Sequence, residues 1–211
     1  LTTALACMAL HTYANDLTDK TLTHRLDQVV EVWIDSSQTA SFDDILTPVY
    51  QKKFKINKRR GLTFGYLKSP VWIKVKTRNL AADATWFLEL PAPFLEYVDF
   101  YQLENNTWHH TESGYYKPHS TRQIKHTGYV LPLWYNANAT SEVYIKISGT
   151  SPKTFPLYII EKEKFYEKVR VEDVGYGMFF GILSAMFFFN LFIFLSLRQL
   201  NYLLYICTVV C

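Results

Sequence analysis

Pro70-Val71-Trp72-Ile73-Lys74-Val75-Lys76-Thr77-Arg78 is the stretch that decides the fold. Side chains alternate sides along an extended chain, so Val71, Ile73 and Val75 share one face while Trp72, Lys74, Lys76 and Arg78 take the other. That is the pattern of a half-buried β-strand. Reading outward in the same way predicts strands over residues 29–35, 86–90, 97–103, 129–133, 142–148 and 155–160. Turn-forming residues separate them at Asp83, at Asn105 and Asn106, and at Asn136 and Asn138. Short strands at this spacing, rich in Val, Ile, Tyr and Trp, predict a mainly β protein built as an antiparallel β-sandwich. Ser41 stands as a cap before Asp43 and Asp44, which predicts one helical turn over residues 41–46. A helix is expected again over residues 161–169.

The 211 residues carry 22 basic and 19 acidic side chains, a net charge of +3, with a mean hydropathy of −0.05. That mean averages unlike parts. Residues 174–197 form an uncharged run of 24 residues holding seven of the 15 phenylalanines, longer than the roughly 20 needed to cross a bilayer. They are read as a first transmembrane helix, and residues 200–211 as the start of a second. A hydrophobic content of 49% with 17% aromatic excludes a disordered chain, and the uncharged run excludes a purely soluble one. Residues 1–14, small and apolar, are expected to end a secretory signal peptide cleaved after Ala14. Residues 15–170 are then an exported domain. It has no cysteine, since Cys7 falls in the leader and Cys207 and Cys211 in the second apolar run. It must hold together by packing and hydrogen bonds, which suits a bacterial periplasmic domain anchored in the inner membrane. Lys162, Lys164, Lys168 and Arg170 precede the span and only Arg198 follows it, which taken alone would put the domain in the cytoplasm. Long domains translocate largely regardless of such charges, so the leader decides. The chain reads as a fragment of a longer one.

The face turned away from the expected core carries the functional reading. Period two puts Trp72, Lys74, Tyr97, Asp99, Tyr101, Tyr144 and Lys146 there, and Glu89 opposes Leu88 and Leu90 by the same logic. Rings flanked by carboxylates and amines suit a sugar or similar polar small molecule: the rings stack on its apolar face and the polar groups take its hydroxyls. The bland alternative is a plain sheet exterior, since Tyr, Trp and Lys are ordinary residues on a solvated strand face. Exposed aromatics also suit docking of a partner protein or a homodimer.

Other constellations carry less. His109, His110, Glu112, His119 and His126 crowd one region, but their spacing fits no closed zinc pattern and residues 108–110 read as loop, so no metal is expected. Glu89, Glu96 and Asp99 can supply a carboxylate pair, yet nothing marks one of them as a general acid. No phosphate-cradling Gly loop, His-Glu-x-x-His or Gly-x-Ser-x-Gly occurs, and neither enzyme activity nor a cofactor is expected. From Lys52 to Arg78 there are ten basic residues and no acidic one. In an exported domain this reads as a solvated loop or a contact for anionic lipid or glycan, and nucleic acid is not an expected partner. Within the first span, Gly177 and Gly181 form a small-xxx-small pair and Asn190 lies deep in the apolar run. Both predict packing against further helices in the bilayer.

Four of these segments resemble the bacterial seven-transmembrane receptors with diverse intracellular signalling modules. They are Ser69-Pro-Val-Trp72-Ile-Lys-Val-Lys-Thr-Arg78-Asn79, Glu89-Leu-Pro-Ala-Pro93-Phe-Leu-Glu-Tyr-Val98-Asp99-Phe-Tyr101, Gly177-Met-Phe-Phe-Gly181, and Asn190 to Arg198 followed by Tyr202-Leu-Leu-Tyr205. The resemblance covers residues 25 to 211. It implies a periplasmic jelly-roll domain, similar to carbohydrate-binding modules, that feeds a seven-helix bundle. It also implies an intracellular output such as a diguanylate cyclase, histidine kinase or phosphatase, which these residues do not include.

Overall fold

The computed structural model describes residues 15–18, 21–81, 85–104, 106–135 and 140–210. The expected leader over residues 1–14 lies outside them, as do Asp83, Asn105, the turn at 136–138 and Cys211. In chain order the elements are β1 (Asn15–Leu17), β2 (Thr23–Arg25), β3 (Glu31–Ile34), α1 (Phe42–Ile45), α2 (Pro48–Gln51), β4 (Lys55–Ile56), β5 (Leu62–Gly65) and β6 (Val71–Asn79). Then come β7 (Trp86–Leu90), β8 (Tyr97–Glu104), β9 (Thr107–Ser113), a 3₁₀ turn (His119–Thr121), β10 (Tyr129–Leu133), β11 (Thr140–Ser148), β12 (Lys153–Phe155) and β13 (Tyr158–Glu161). Two helices follow, α3 (Lys162–Leu197) and α4 (Leu200–Val210).

The strands form a sandwich. Its larger sheet runs β4-β3-β6-β11-β8-β9, with β1 beside the far end of β6; its smaller sheet runs β10-β7-β13-β2, and β12 pairs with β5. Every pairing is antiparallel except β1 with β6. The alternation read in the sequence fills the space between the sheets. Val71, Ile73 and Val75 of β6, Val98 and Phe100 of β8, and Val143, Ile145 and Ile147 of β11 are buried with Trp86, Leu88 and Leu90 of β7 and Tyr129, Leu131 and Leu133 of β10. The polar tips of Trp86 and Tyr129 inside this core are satisfied. The Trp86 indole donates to Asn79 Oδ1 at 3.0 Å, and the Tyr129 hydroxyl donates to Leu95 O at 2.9 Å.

Two local readings are corrected. Residues 155–160 are two strands in different pairings, because Pro156 has no amide hydrogen to continue a ladder. Residues 108–110, expected as loop, lie within strand β9, which follows β8 through Asn106 in the left-handed region at φ 64°. Asparagine tolerates that conformation better than most residues.

The larger correction concerns the outer face of the larger sheet, which is not open. The Asp35 carboxylate accepts from the amides of Ser37 (3.1 Å), Gln38 (3.1 Å) and Ala40 (3.0 Å), which turns the chain back across the sheet. α1 starts with a capping box: Asp44 N donates to Ser41 Oγ at 3.2 Å and Ser41 N donates to Asp44 Oδ2 at 2.9 Å. The cap read at Ser41 is therefore present. α2 follows directly, with Pro48 in its first turn. Together these elements bring Ala40, Ile45 and Phe54 onto Trp72 and Tyr144 as a second hydrophobic cluster, rimmed by Trp33, Phe42, Tyr50, Tyr101 and Trp108.

α3 is 36 residues long and, by length and composition, apolar enough to cross a membrane. It ends at Leu197, where Arg198 takes a left-handed φ of 52°, and α4 begins at Leu200. Asn190 donates to Met186 O within its own helix at 2.8 Å. The helix surface at Gly177 and Gly181 is open enough that a Cβ there would meet nothing within 4 Å.

Candidate functional site

Strand register lays the outer face of the larger sheet out in rows. One row runs Trp33, Trp72, Lys146, Asp99, Glu112 and the next Glu31, Lys74, Tyr144, Tyr101, His110. The covering segment lies over the first part of each row and leaves the last part open, so the seven expected ligand residues fall into three groups.

Trp72, Lys74 and Tyr144 are in the covered part. Trp72 is 0% exposed, Tyr144 2% and Lys74 7%, so the expectation that these three face solvent is wrong. Their polar atoms hold the cover down. The Lys74 ammonium donates to Gln51 Oε1 and lies 3.2 Å from Glu142 and 3.9 Å from Glu31. Gln51 Nε2 in turn donates to the Tyr144 hydroxyl at 2.9 Å and to Ile45 O at 2.6 Å, and Tyr144 donates to Glu142. Burial, reinforced by the Glu142 carboxylate, pushes the Tyr144 hydroxyl far above its ordinary pKa. The Trp72 indole Nε1 is buried without a hydrogen-bond acceptor, while Lys146 Nζ stands 5.2 Å over its ring.

Glu89 belongs elsewhere. It lies on β7 in the smaller sheet, opposite Val130 and Tyr158, and is buried there. Alternation assigns a face within a strand but not the sheet the strand joins, so Glu89 is not brought together with the others.

Tyr97, Asp99 and Tyr101 remain on the open part, and β9 adds neighbours that sequence reading missed. His110 Nε2 lies 3.1 Å from Asp99 Oδ1, and Lys117 donates to Glu112 from the loop after β9. That bond holds the Glu112 carboxyl below its usual range and the Lys117 ammonium above its own. Tyr101 is stacked between Phe42 of α1 (centroids 4.0 Å, planes 5° apart) and the His110 ring (4.5 Å, 5°). Burial first, then the charges of Asp99 and Glu112, push its pKa up to about 12. Oxygen and nitrogen atoms of Asp99, His110 and Glu112 all lie within 4.8 Å of one another. The other histidines disperse: His109 sits 3.6 Å from Glu104 against Trp134, and His126 Nδ1 accepts from Gly128 N at 3.2 Å. Of the basic run, Lys74 is buried and Arg78 pairs with Asp16 at 2.7 Å, while Lys52, Lys53, Lys55, Lys58, Arg59 and Arg60 are exposed.

Above this open part, aromatic residues project from two loops that cross tightly. Tyr97 is 41% exposed with its ring centroid 5.6 Å from that of Tyr116, and Phe94 and Tyr115 are exposed beside them. Tyr115 N donates to Leu95 O at 2.8 Å and Tyr116 N to Glu96 O at 3.3 Å. Glu96 accepts from Thr150 N (2.9 Å) and Ser151 N (2.7 Å) and so braces the crossing. Gly114 makes the crossing fit: at φ +133° a Cβ would stand 2.3 Å from Glu96 O. Gly114→Ala is therefore expected to lose about 2–3 kcal/mol of stability, from left-handed strain plus a backbone clash that no rotamer relieves. Urea denaturation checks it, and a loss below about 0.5 kcal/mol would show that the loops separate freely.

A family model described as 7TMR-DISM extracellular 2 matches residues 27–161 of the chain. No curated protein matches. Among solved structures, a β-glucosidase from Kluyveromyces marxianus in complex with glucose matches with a TM-score of 0.34 and 8% identity over 63% of this chain. This chain spans 15% of that enzyme's length, and the likeness is too slight to carry either fold or ligand across.

Proposed function

Because this chain belongs to the 7TMR-DISM extracellular 2 family, the extracellular sensory domain of seven-transmembrane receptors with diverse signalling modules, we propose that its open β8–β9 face binds a polar small molecule, a carbohydrate by its chemistry. The carrying observation is that Tyr97, its ring beside that of Tyr116, stands two residues along the same strand face from Asp99, which has His110, Glu112 and Lys117 around it. Tyrosine faces stack on the apolar face of a sugar, and a mixed set of carboxylate, imidazole and ammonium groups takes its hydroxyls. Trp72, Lys74 and Tyr144 support that face from beneath the covering segment and do not touch the ligand. Binding passes a signal to a seven-helix bundle in the bacterial inner membrane only if the ligand prefers one state of the receptor. Gly177, Gly181 and Asn190 supply the packing surface of the first helix in that bundle.

Calorimetry of the whole chain in lipid nanodiscs against a glycan panel tests the proposal, since glycoside detergents would compete. Tyr97→Ala and Asp99→Asn are each expected to weaken binding about tenfold, the counterpart of roughly 1.4 kcal/mol. Unchanged affinity in the double variant would remove the ligand from this face. The exposed Phe94, Tyr97, Tyr115 and Tyr116 favour a second reading, in which the same rings dimerise the domain without a small ligand. Sedimentation that depends on concentration, in a chain that binds no glycan, is the result that reading requires.

A further inference from the structure

Asp99 and Glu112 stand directly opposite one another across β8 and β9. Like charges in that position destabilise a sheet unless something between them offsets the repulsion. Lys117, which donates to Glu112, does so here, and His110 lies 3.1 Å from Asp99. The imidazole is also fixed in orientation. It lies flat against Tyr101, and Tyr101 is pinned from the other side by Phe42 of the capped helix α1. One nitrogen and two carboxylates, within 4.8 Å of one another on two adjacent strands, thus converge on a common point at the surface.

We propose that Asp99, His110 and Glu112 bind a first-row transition-metal dication of the zinc type. Zinc takes imidazole nitrogen and carboxylate oxygen at about 2.0–2.2 Å in tetrahedral sites, which sets its ligand atoms roughly 3.3 Å apart. The His110–Asp99 separation of 3.1 Å already matches that spacing, and binding requires Glu112 to exchange Lys117 for the metal. Three protein ligands leave a fourth position open to water or to an oxygen of a bound molecule. Calcium is a poor fit, because it asks for six to eight oxygens and this group offers an imidazole and two carboxylates. Spacing along the chain hides the site, since one of its carboxylates comes from the neighbouring strand and His109, next to His110, points the other way to Glu104. The proposal does not depend on a carbohydrate being the ligand of this face.

The test is calorimetric titration of the whole chain in nanodiscs with Zn²⁺ and, separately, Ca²⁺. Saturable binding of one Zn²⁺ per chain is expected, with none for Ca²⁺. Removing a group that merely orients a metal ligand costs about 10–100-fold in affinity, so His110→Ala and Asp99→Asn should each cost at least tenfold. A variant with His109, His119 and His126 all replaced by Gln should bind as the parent does. Lys117→Gln removes the cation that competes for Glu112 and should tighten binding roughly two- to fivefold, the range an exposed ion pair is worth. Any of three results overturns the proposal: no saturable Zn²⁺ binding, binding that survives His110→Ala, or weaker binding in Lys117→Gln.

Discussion

Replacing Trp72 with alanine is expected to cost about 3–5 kcal/mol of stability, the range for emptying a buried aromatic site. The side chain is fully buried and lies between the larger sheet and the covering segment, with the rings of Phe42 and Tyr101 at 6.4 and 5.8 Å. Its removal leaves a void roofed by two four-residue helices, whose placement depends on what lies beneath them. Trp72→Phe should behave differently. Trp72 Nε1 has no acceptor, so exchanging the indole for a phenyl ring discards a buried unsatisfied donor along with some volume. The two effects oppose, and the net change is expected to stay within about 1.5 kcal/mol. Urea denaturation of both variants decides the matter. A loss under about 1 kcal/mol in Trp72→Ala would mean that the covering segment contributes little packing. The outcome also bears on any binding assay, because ligand lost with Trp72→Ala reports damage to the fold and not a broken contact.

Lys74→Ala is expected to be nearly as damaging, at about 3 kcal/mol, the low end of the range for breaking a buried ion pair. The low end applies because the Glu142 side chain keeps 30% exposure and regains some water. What is lost besides the charge is the donor that fixes Gln51, and through Gln51 the join between α2, the Ile45 carbonyl and the Tyr144 hydroxyl. Buried ion pairs are often replaceable as a unit where they are not replaceable singly. The double variant Lys74→Met with Glu142→Gln should therefore recover most of the loss. If it is no better than Lys74→Ala, the network matters through Gln51 alone.

These two residues mark where sequence reading stopped. The sandwich was legible because long strands with one face in a core show it as period two, as β6, β8 and β11 all do, and the turn at Ser41 was legible from its cap ahead of Asp43 and Asp44. The second layer was not. Alternation separates Trp72 and Lys74 from Val71 and Ile73 but cannot say what covers them, and lysine is seldom buried unless paired. The partners that make its burial tolerable come from β3, α2 and β11, far apart in sequence. β9 was missed because an edge strand with both faces largely exposed has no apolar alternation to display. With β9 hidden, His110 and Glu112 had no strand to place them beside Asp99. Glu89 failed for the complementary reason, a correct face on a strand whose sheet was unknown.

The strand order sets a timetable for making this domain. Among the described residues β2 pairs only with β13, and Leu157 N donates at 2.8 Å to the Asp27 carboxylate 130 residues upstream. β6, at the centre of the larger sheet, waits for β11, and β7 waits for both β10 and β13. Contacts this distant in sequence are closed late, after the entropy of the long loops between them has been overcome. The smaller sheet is incomplete until residues 158–161 have left the ribosome, and the next residues to emerge are those of the long apolar helix. Among the described strands, the one that locks the sandwich is thus also the last one made.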